Sequence, residues 1–511
     1  MSQTANRIVK NTGFLYAKMG ITMFISLWTT RLILNALGAS DYGIYSVVGG
    51  AISMLGFLNG SMASATQRFM SFYQGKGEIH KCKGIFNICV VLHAILALLL
   101  ILSLIFWGVF LFNGLLYIPD GREHAAMVVY GSLMISTAFT VLSVPYDATI
   151  NAHENMRYYA IIGVFESILK LAVAFITVYS LMDKLVVYGV LMACIPLITL
   201  TIISVYCHKN YCECKFNIRQ SLDKVLVCEI ASFAGWNFIS SIALVICNYG
   251  LGLVVNFFYG VLLNTALSIA QQISAQLKTL SEGLLKAVNP VITKSAGAGN
   301  IKQMMSFAFS STKLSFFLLS ILVIPFLIEA PYILQLWLKN VPEWAVLFCR
   351  LQLIASSLTT ILGELLLTTL NAVGNIKKQS IYTSFIHMSS ICFTTLLFYL
   401  NMPPWSMYIS IIGFNVIAFK LSTMYILKTR DVLNIALFIR TVIFPCAVCF
   451  AFSVAIGTSP IYFLHPSFGR LLLVIAISSL IFVTLSYVVV LSNNERCVLN
   501  QIIKNKVVAR L

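Results

Sequence analysis

A small set of charged and polar side chains lies within long apolar stretches of this sequence, and these are the candidates for chemistry. Lys18 and Glu364 each interrupt such a stretch, and Lys278 belongs to a polar stripe at helical spacing. The stripe consists of Gln271, Ser274, Lys278, Ser281 and Glu282. Ionisable groups are costly in apolar surroundings and are usually functional there. We therefore expect Lys18 and the stripe to face a cavity.

Basic residues outnumber acidic residues within the apolar stretches, which suits an anionic cargo. The basic residues are Lys18, Arg31, Arg68, Lys170, Lys278, Lys286, Lys313, Arg350, Lys420, Arg440 and Arg470. The acidic residues are Asp147, Glu166, Glu229, Glu282 and Glu364. Several basic side chains lie near predicted helix ends, where they could instead reach the interface. This alternative applies to Arg31, Lys286, Arg350, Lys420, Arg440 and Arg470.

Three carboxylates are candidates for coupling transport to H⁺ or Na⁺. Glu364 has no basic residue nearby in sequence, and a lone buried carboxylate can carry either ion. Its alternative role is that of a hydrogen-bonded structural residue. Glu282 and Glu166 each have a lysine four residues before or after them, so local ion pairs are the alternative for both.

Composition places these residues in a membrane. The chain has 511 residues, of which 59% are hydrophobic and only 10% are charged, whereas about a quarter of the residues in a soluble domain are charged. The sequence therefore predicts an all-α polytopic membrane protein. The net charge of +17 is explained by basic cytoplasmic loops, and no nucleic-acid partner is expected.

The hydropathy pattern predicts about fourteen membrane-spanning helices, since each needs about 20 mostly apolar residues. Their spans are 11–37, 44–71, 84–112, 124–148, 158–181, 185–206, 224–254, 259–289, 303–328, 344–371, 380–400, 405–427, 432–456 and 469–491. Lys and Arg are concentrated in alternate loops, while the opposite loops hold only Arg122, Lys184 and Lys339. This asymmetry places both termini in the cytoplasm, and the first helix is expected to remain as an anchor because no cleavable signal is visible.

Two pairs of sequence repeats indicate an internal duplication. The stretch TINAHENMRYY (149–159) recurs as TLNAVGNIKKQ (369–379), with Thr, Asn-Ala and Asn at matching steps. The stretch 65–79 recurs in the same way at 287–301, with Gly75, Gly77 and Ile79 repeated at Gly297, Gly299 and Ile301. We infer two six-helix lobes followed by two trailing helices. The predicted segments are 1–223, 224–431 and 432–511, the last including a cytoplasmic tail.

The first repeat predicts matched turns on the two lobes. The Asn-Ala steps come where predicted helices four and ten end, and an Asn side chain can bond the free backbone groups of a helix terminus. The alternative is a symmetric gate that binds a lipid headgroup through Arg157, Lys377 and Lys378. Positive-inside bias already accounts for those three charges.

Cysteines give no sign of a disulfide framework, because most of the thirteen lie in apolar stretches. The one cluster is CHKNYCEC, with Cys207, His208, Cys212 and Cys214. Zinc binding is an alternative there, but a structural zinc site normally shows two well-spaced pairs of ligands. We expect no metal and no cofactor apart from a coupling ion.

Two similar lobes around a central cavity are typical of transporters that work by alternating access. No G-x-x-x-x-G-K-[ST] motif is present, so the sequence does not predict an ATP-driven pump or an enzyme. Coupling to an ion gradient, to the membrane potential or to the substrate gradient is expected instead.

The stretches RLILNALGASDYGIYSVVGG (31–50) and FLNGSMASATQRFMSFYQGKGE (57–78) resemble the O-antigen flippases of Wzx type. These belong to the superfamily of multidrug, oligosaccharidyl-lipid and polysaccharide exporters. The resemblance implies export of an undecaprenyl-pyrophosphate-linked oligosaccharide across a bacterial inner membrane, with a polysaccharide polymerase as a possible partner. Relatives bind pyrophosphate with arginines on helices one, two and eight. Here helix one offers Lys18 and helix eight offers Lys278, while helix two has only Arg68, near its inner end.

The predicted substrate-binding residues are therefore Lys18, Arg31, Arg68, Gln271, Ser274 and Lys278. Two other functions stay open. A cation-coupled multidrug exporter of the same superfamily would have an acidic cavity. A non-transporting scaffold of a glycan-assembly complex would tolerate the loss of every charge within the membrane.

Overall fold

The computed structural model describes residues 2–53, 56–112, 121–215, 223–338, 341–374, 376–493, 495–497 and 500. The predicted tail from residue 501 onwards, the loop residue Lys339 and Asn375 of the second repeat lie outside these residues. Helices make up nearly all of the described chain, and no strand occurs within it. Helices are favoured because lipid cannot hydrogen-bond to an exposed backbone.

The first helices run from the N-terminus to the middle of the chain. They are α1 Ser2–Ser53, α2 Gly56–Gly75, α3 Ile79–Phe110, α4 Glu123–Ala152, α5 Met156–Tyr179, α6 Lys184–Asn210 and α7 Lys224–Tyr259. The helix α1 is kinked at Gly38. A compact unit covers residues 10–238 and ends within α7. Its core includes Ile33, Val129 and Tyr188, which are buried between α1, α4 and α6.

The second compact unit begins at Ile239 and covers the remaining described chain, together with the described part of residues 1–9. Its helices are α8 Val261–Gly297, α9 Ile301–Leu338, α10 Ala345–Ile361, α11 Glu364–Val373 and α12 Lys377–Tyr399, then α13 Pro404–Lys428, α14 Ile435–Phe463 and α15 Phe468–Val490. Two core clusters lie here, around Phe348 and around Phe482. The division into segments 1–223, 224–431 and 432–511 stays a prediction.

A helix lies at each of the predicted spans, but fewer than fourteen meet the length and apolarity of a membrane span. Within the described residues, 11 helices qualify, or up to 12 if α10 and α11 form one broken span. The predicted spans 44–71 and 259–289 correspond to α2, with the end of α1, and to α8. Neither helix qualifies, because Ser, Asn, Gln and charged residues interrupt their apolar runs.

The duplicated turns have the same backbone geometry. After α2, Gly77 has a φ of +76° and its N–H donates to the Gln74 carbonyl at 3.0 Å. After α8, Gly299 has a φ of +72° and its N–H donates to the Ala296 carbonyl at 3.0 Å. Glycine adopts this left-handed conformation without a Cβ clash. The prediction of an all-α polytopic membrane protein is confirmed, and the matching turns agree with the predicted duplication into two six-helix lobes.

The Asn-Ala repeat also forms equivalent turns. The Glu154 N–H donates to the Asn151 carbonyl at 2.9 Å, and the Gly374 N–H donates to the Asn371 carbonyl at 3.2 Å. Glu154 and Gly374 occupy matching positions and have φ values of +56° and +85°. These contacts agree with the predicted turns at the ends of α4 and α11. The functional roles proposed for the two asparagines stay predictions.

Candidate functional site

A broken helix brings together the principal charged residues of the second unit. The chain bends by 41° between α10 and α11, at Gly363, whose φ is +92°. Glu364 follows as the first residue of α11. A carboxylate side chain interacts favourably with the positive N-terminal end of a helix, and Glu364 takes that position on α11.

Lys278 on α8 forms an ion pair with Glu364, with 3.5 Å between Nζ and Oε1. The lysine and glutamate side chains are 22% and 26% exposed, so water only partly screens the pair. Oε2 of Glu364 is buried and accepts no hydrogen bond from any described residue. The prediction that Glu364 lacks a local partner holds along the sequence only, because a different helix supplies the partner.

Lys420 on α13 is the third charged residue at the break. Its side chain is almost fully buried, with 3% exposure, and its Nζ donates to the Gly363 carbonyl at 3.5 Å. Sequence reasoning placed Lys420 near a helix end and gave it an interfacial role. The Gly363-Glu364 pair in the middle of an apolar span was the sequence signal for a helix break. A break within the membrane requires hydrogen-bond donors for its backbone carbonyls. We call Lys278, Glu364 and Lys420 the break cluster.

The predicted polar stripe on α8 does not act as one surface. The Ser274 hydroxyl is buried and lies 2.6 Å from the Ser356 hydroxyl on α10. Ser281 is also buried and donates to the Ser315 carbonyl on α9 at 2.9 Å. Gln271 and Glu282 are exposed. The stripe therefore divides, because α8 uses its serines to pack against neighbouring helices.

Lys18 lies between two helices of the first unit. Its Nζ is 4.3 Å from the centre of the Tyr159 ring on α5, at cation–π distance. Its alkyl chain passes Gly163, where an added Cβ would be 2.0 Å from the lysine Cε. Gly163 thus makes room for Lys18.

The other cationic candidates of the first unit differ in their surroundings. The Arg68 guanidinium lies 4.4 Å, 4.9 Å and 5.2 Å from the ring centres of Phe69, Phe72 and Phe233. Aromatic faces on this side stabilise the cation. Arg31 is exposed, as expected if its side chain reaches the interface.

Glu166 and Lys170 form the local ion pair that their spacing predicts. The distance between Lys170 Nζ and Glu166 Oε1 is 2.7 Å, and both side chains are about 40% exposed. Exposed i,i+4 pairs contribute little to stability. This geometry favours the self-contained pair over the predicted coupling role of Glu166.

The structure reveals a buried ion pair that the sequence interpretation missed. Arg470 on α15 contacts Glu329 on α9, with 2.7 Å between Nε and Oε1, and the two side chains are 9% and 1% exposed. Glu329 was left out because the predicted span ended at residue 328. The nearby Pro325 and Pro331 were the signal that α9 continues through a distortion there.

Polar contacts also organise the first unit at its loops. Arg122 Nε donates to Asp41 Oδ1 at 2.8 Å, and Arg122 Nη1 donates to Asp183 Oδ2 at 2.6 Å. Asp41 belongs to the DYG motif of residues 41–43. Arg122, in the loop before α4, therefore joins Asp41 of the α1 segment to Asp183 in the loop before α6, which gives this motif a structural role.

The predicted cysteine cluster lies around Glu213, and its side chains are not arranged as metal ligands. Cys207 and Cys214 are buried, whereas Cys212 is exposed. Burial favours a raised pKa for Glu213, but its contact with His153 and further hydrogen bonds outweigh this effect and lower the pKa below its usual value. Among the described residues, no group of three or more His, Cys, Asp or Glu is placed to hold a metal ion.

Three solved structures share this architecture at low sequence identity. A MATE protein in complex with MaD3S matches with a TM-score of 0.73 and 15% identity, over 84% of this chain and 97% of that chain. An outward-facing multidrug resistance MATE transporter of the MOP superfamily matches with a TM-score of 0.73 and 14% identity, over 84% of this chain and 97% of that chain. A MOP superfamily transporter from Pyrococcus furiosus, described by a reversed polarity of its binding pocket, matches with a TM-score of 0.71 and 14% identity. The match covers 85% of this chain and 96% of that chain.

No protein-family model and no curated protein matches the sequence. The structural likeness extends over most of this chain, and at these identities it establishes the fold. The chain is therefore a multi-pass, all-α membrane protein with the fold of the MATE transporters of the MOP superfamily.

Proposed function

We propose that this protein is a secondary exporter that works by alternating access and is coupled to a cation at Glu364. The break cluster is the observation that carries the proposal. A carboxylate at a helix break, with one oxygen paired to Lys278 and the other without a described donor, can exchange a proton or Na⁺ as its surroundings change. Discontinuous helices often provide the ion sites of secondary transporters.

The duplication supports a functional role for this cluster. At the offsets of the two repeats, Lys278, Glu364 and Lys420 correspond to Gly56, Val144 and Leu200. The first lobe has neither these charges nor the break, since α4 is continuous from Glu123 to Ala152. The break and its charges are therefore specific to the second lobe, and charges that are costly to bury are expected to serve transport.

Two substrate classes fit this exporter. The MATE fold supports a multidrug exporter, since one structural neighbour is a multidrug resistance transporter. The motifs at 31–78 and the cations Lys18, Arg68 and Lys278 support a flippase for lipid-linked oligosaccharide, acting in a bacterial inner membrane with both termini in the cytoplasm. The ion pairs of Lys278, Lys313 and Arg470 with acidic residues reduce the excess of positive charge, so the structural comparison favours the multidrug exporter.

Transport by the purified full chain in proteoliposomes tests the proposal. One arm follows ethidium, an organic cation, and the other follows a fluorescent short-chain polyprenyl-pyrophosphate disaccharide, each with and without a pH or Na⁺ gradient. We expect one substrate to move in a gradient-dependent manner and Glu364→Gln to abolish that dependence. Glu78→Gln, in an exposed loop pair with Lys81, is the matched control.

Two results contradict the proposal. Failure of both substrates to move in proteoliposomes that contain the folded full chain argues against an exporter of either class. Gradient dependence that persists in Glu364→Gln removes the coupling role and leaves Glu364 as a structural partner of Lys278.

A further inference from the structure

The break cluster has more positive than negative charge within its buried part. Lys278 and Lys420 approach the break from α8 and α13, and among the described residues Glu364 is the one carboxylate there that contacts a lysine. Glu282 lies one turn from Lys278 on the same helix, but it is exposed. The neighbouring residue from α14 is Phe438, whose ring lies against Gly363 and carries no charge.

Lys420 depends on this carboxylate for charge compensation. It is 3% exposed, and its described hydrogen-bond partner is the uncharged Gly363 carbonyl. A buried cation without a nearby anion is strongly disfavoured. The Glu364 carboxylate, on the residue next to Gly363, pairs with Lys278 and interacts electrostatically with Lys420, so it compensates both lysines while it is ionised.

Protonation of Glu364 removes that compensation. The two lysines then face the break with no acidic partner among the described buried residues, in surroundings that screen charge poorly. An oxyanion at the break would restore neutrality and accept hydrogen bonds from both ammonium groups. Conversely, an anion that draws Lys278 away from Glu364 leaves the carboxylate unpaired and favours its protonation.

We propose that the break cluster is an oxyanion-binding site that forms when Glu364 takes up a proton, so that anion and proton bind together. This inference rests on the coupling role of Glu364 in the proposed function. It adds that the linkage between proton binding and anion binding is positive. The ligand class is a doubly charged oxyanion, either a free phosphate-like anion or the pyrophosphate of a lipid. By reciprocity, the proton must strengthen anion binding by the same factor by which the anion strengthens proton binding.

Sulfate is a suitable probe because its charge stays constant over the relevant pH range. Sulfate binding to the full chain in nanodiscs is measured by calorimetry at about pH 8 and about pH 5.5, where we expect affinity to rise by about tenfold at the lower pH. Repeating the titration in two buffers of different ionisation enthalpy should show proton uptake on binding. A polyprenyl pyrophosphate that displaces sulfate far better than inorganic pyrophosphate does would identify a lipid as the source of the anion.

Variants separate the parts of the site. Glu364→Gln should bind sulfate at both pH values as tightly as the unmodified protein does at low pH. Lys278→Met and Lys420→Met should lose binding at both pH values, and Lys278→Arg should retain it. Glu78→Gln should match the unmodified protein, and circular dichroism with size-exclusion chromatography should establish which variants fold.

The opposite sign of linkage would overturn this inference. Sulfate affinity that is constant or rises with pH contradicts it, and so does unchanged binding by a folded Lys278→Met variant. Gradient-dependent transport of ethidium in competition with protons, without sulfate binding, would leave the exporter proposal intact while removing the anion site. Loss of all transport would contradict the exporter proposal. It would not contradict the anion site, because sulfate binding in nanodiscs is measured without transport.

Discussion

Single charged side chains in this protein pair with partners that their sequence spacing only partly predicts. Lys170 contacts Glu166 four residues away, as the helical repeat predicts. Lys278 has the same option with Glu282 but pairs with Glu364 on another helix. Glu282 is exposed, whereas the break beside Glu364 is largely shielded from water, so the interaction is stronger there.

The buried pair of Arg470 and Glu329 yields a residue-scale prediction. Arg470→Ala leaves the Glu329 carboxylate buried without its cation, and we expect a loss of about 3–5 kcal/mol in the free energy of unfolding. Thermal or denaturant unfolding of the full chain in nanodiscs measures this loss.

The double variant Arg470→Leu/Glu329→Leu is the control for that experiment. It removes both charges and should recover most of the lost stability, because two apolar side chains replace the pair. A double variant as unstable as Arg470→Ala would show that packing, rather than the unpaired charge, causes the loss.

Helices of the second unit are interrupted at Gly363 and near Glu329, and a cation donates to backbone carbonyls beside each interruption. Lys420 donates to the Gly363 carbonyl between α10 and α11. Arg350 on α10 donates to two carbonyls of α9, those of Leu327 at 3.0 Å and Ile328 at 3.3 Å. The Gly363 carbonyl also accepts the Leu366 N–H at 3.1 Å, so Lys420 adds a second hydrogen bond there, and both cations stabilise the interruptions as well as carrying charge.

The break at Gly363 gives a prediction for this element. Gly363→Ala places a Cβ 2.7 Å from Leu366 Cγ, on a backbone with φ of +92°. Left-handed strain and this clash together should cost about 1–3 kcal/mol, measured by unfolding of the full chain. They should also shift α11, which weakens the contact between Lys278 and Glu364.

Gly413→Ala provides the matched control. It lies within α13, has a negative φ and has nothing within 4 Å of an added Cβ. We expect unchanged or slightly raised stability. Equal losses in the two variants would contradict a special role of the break.

Across the whole molecule, the two lobes share backbone geometry but differ in buried charge. Gly38 and Gly260, which precede equivalent helical segments, have φ values of +76° and +80°, and the turns after α2 and α8 also match. The break cluster occurs in the second lobe alone within the described chain. The duplication thus preserved the turns that define the helices, while the residues proposed for transport differ.

The repeated turn predicts equal costs in the two lobes. Gly77→Ala and Gly299→Ala each introduce a Cβ at positive φ with no atom within 4 Å, so strain is the main effect. Each should lower stability by about 1–2 kcal/mol, measured by unfolding of the full chain. Gly20→Ala in α1, which has the same open space at helical φ, should show no loss.

A large difference between Gly77→Ala and Gly299→Ala would contradict equivalent turns. Equal losses combined with an unchanged Gly20→Ala variant would support them. The comparison tests the duplication in solution through energetics, independently of the backbone angles.

The sequence by itself determined the all-α membrane class, the positions of the helices and the duplication. These depend on local properties, namely apolar runs, helical spacing and glycine-bearing turns that recur along the chain. It also identified Lys278 and Glu364 as candidates. The hydropathy pattern overestimated the apolarity of α2 and α8, because it gave too little weight to the polar side chains in these two helices.

Only the tertiary structure decided which charges meet. Glu364 obtains its partner from α8, Lys420 is buried at the break, and Ser274 turns to Ser356. Arg470 reaches Glu329 across 141 positions of sequence. Such contacts depend on how helices distant in sequence pack and on where a helix breaks. Hydropathy along one chain shows that a charge is buried, but it does not show which side chain lies opposite.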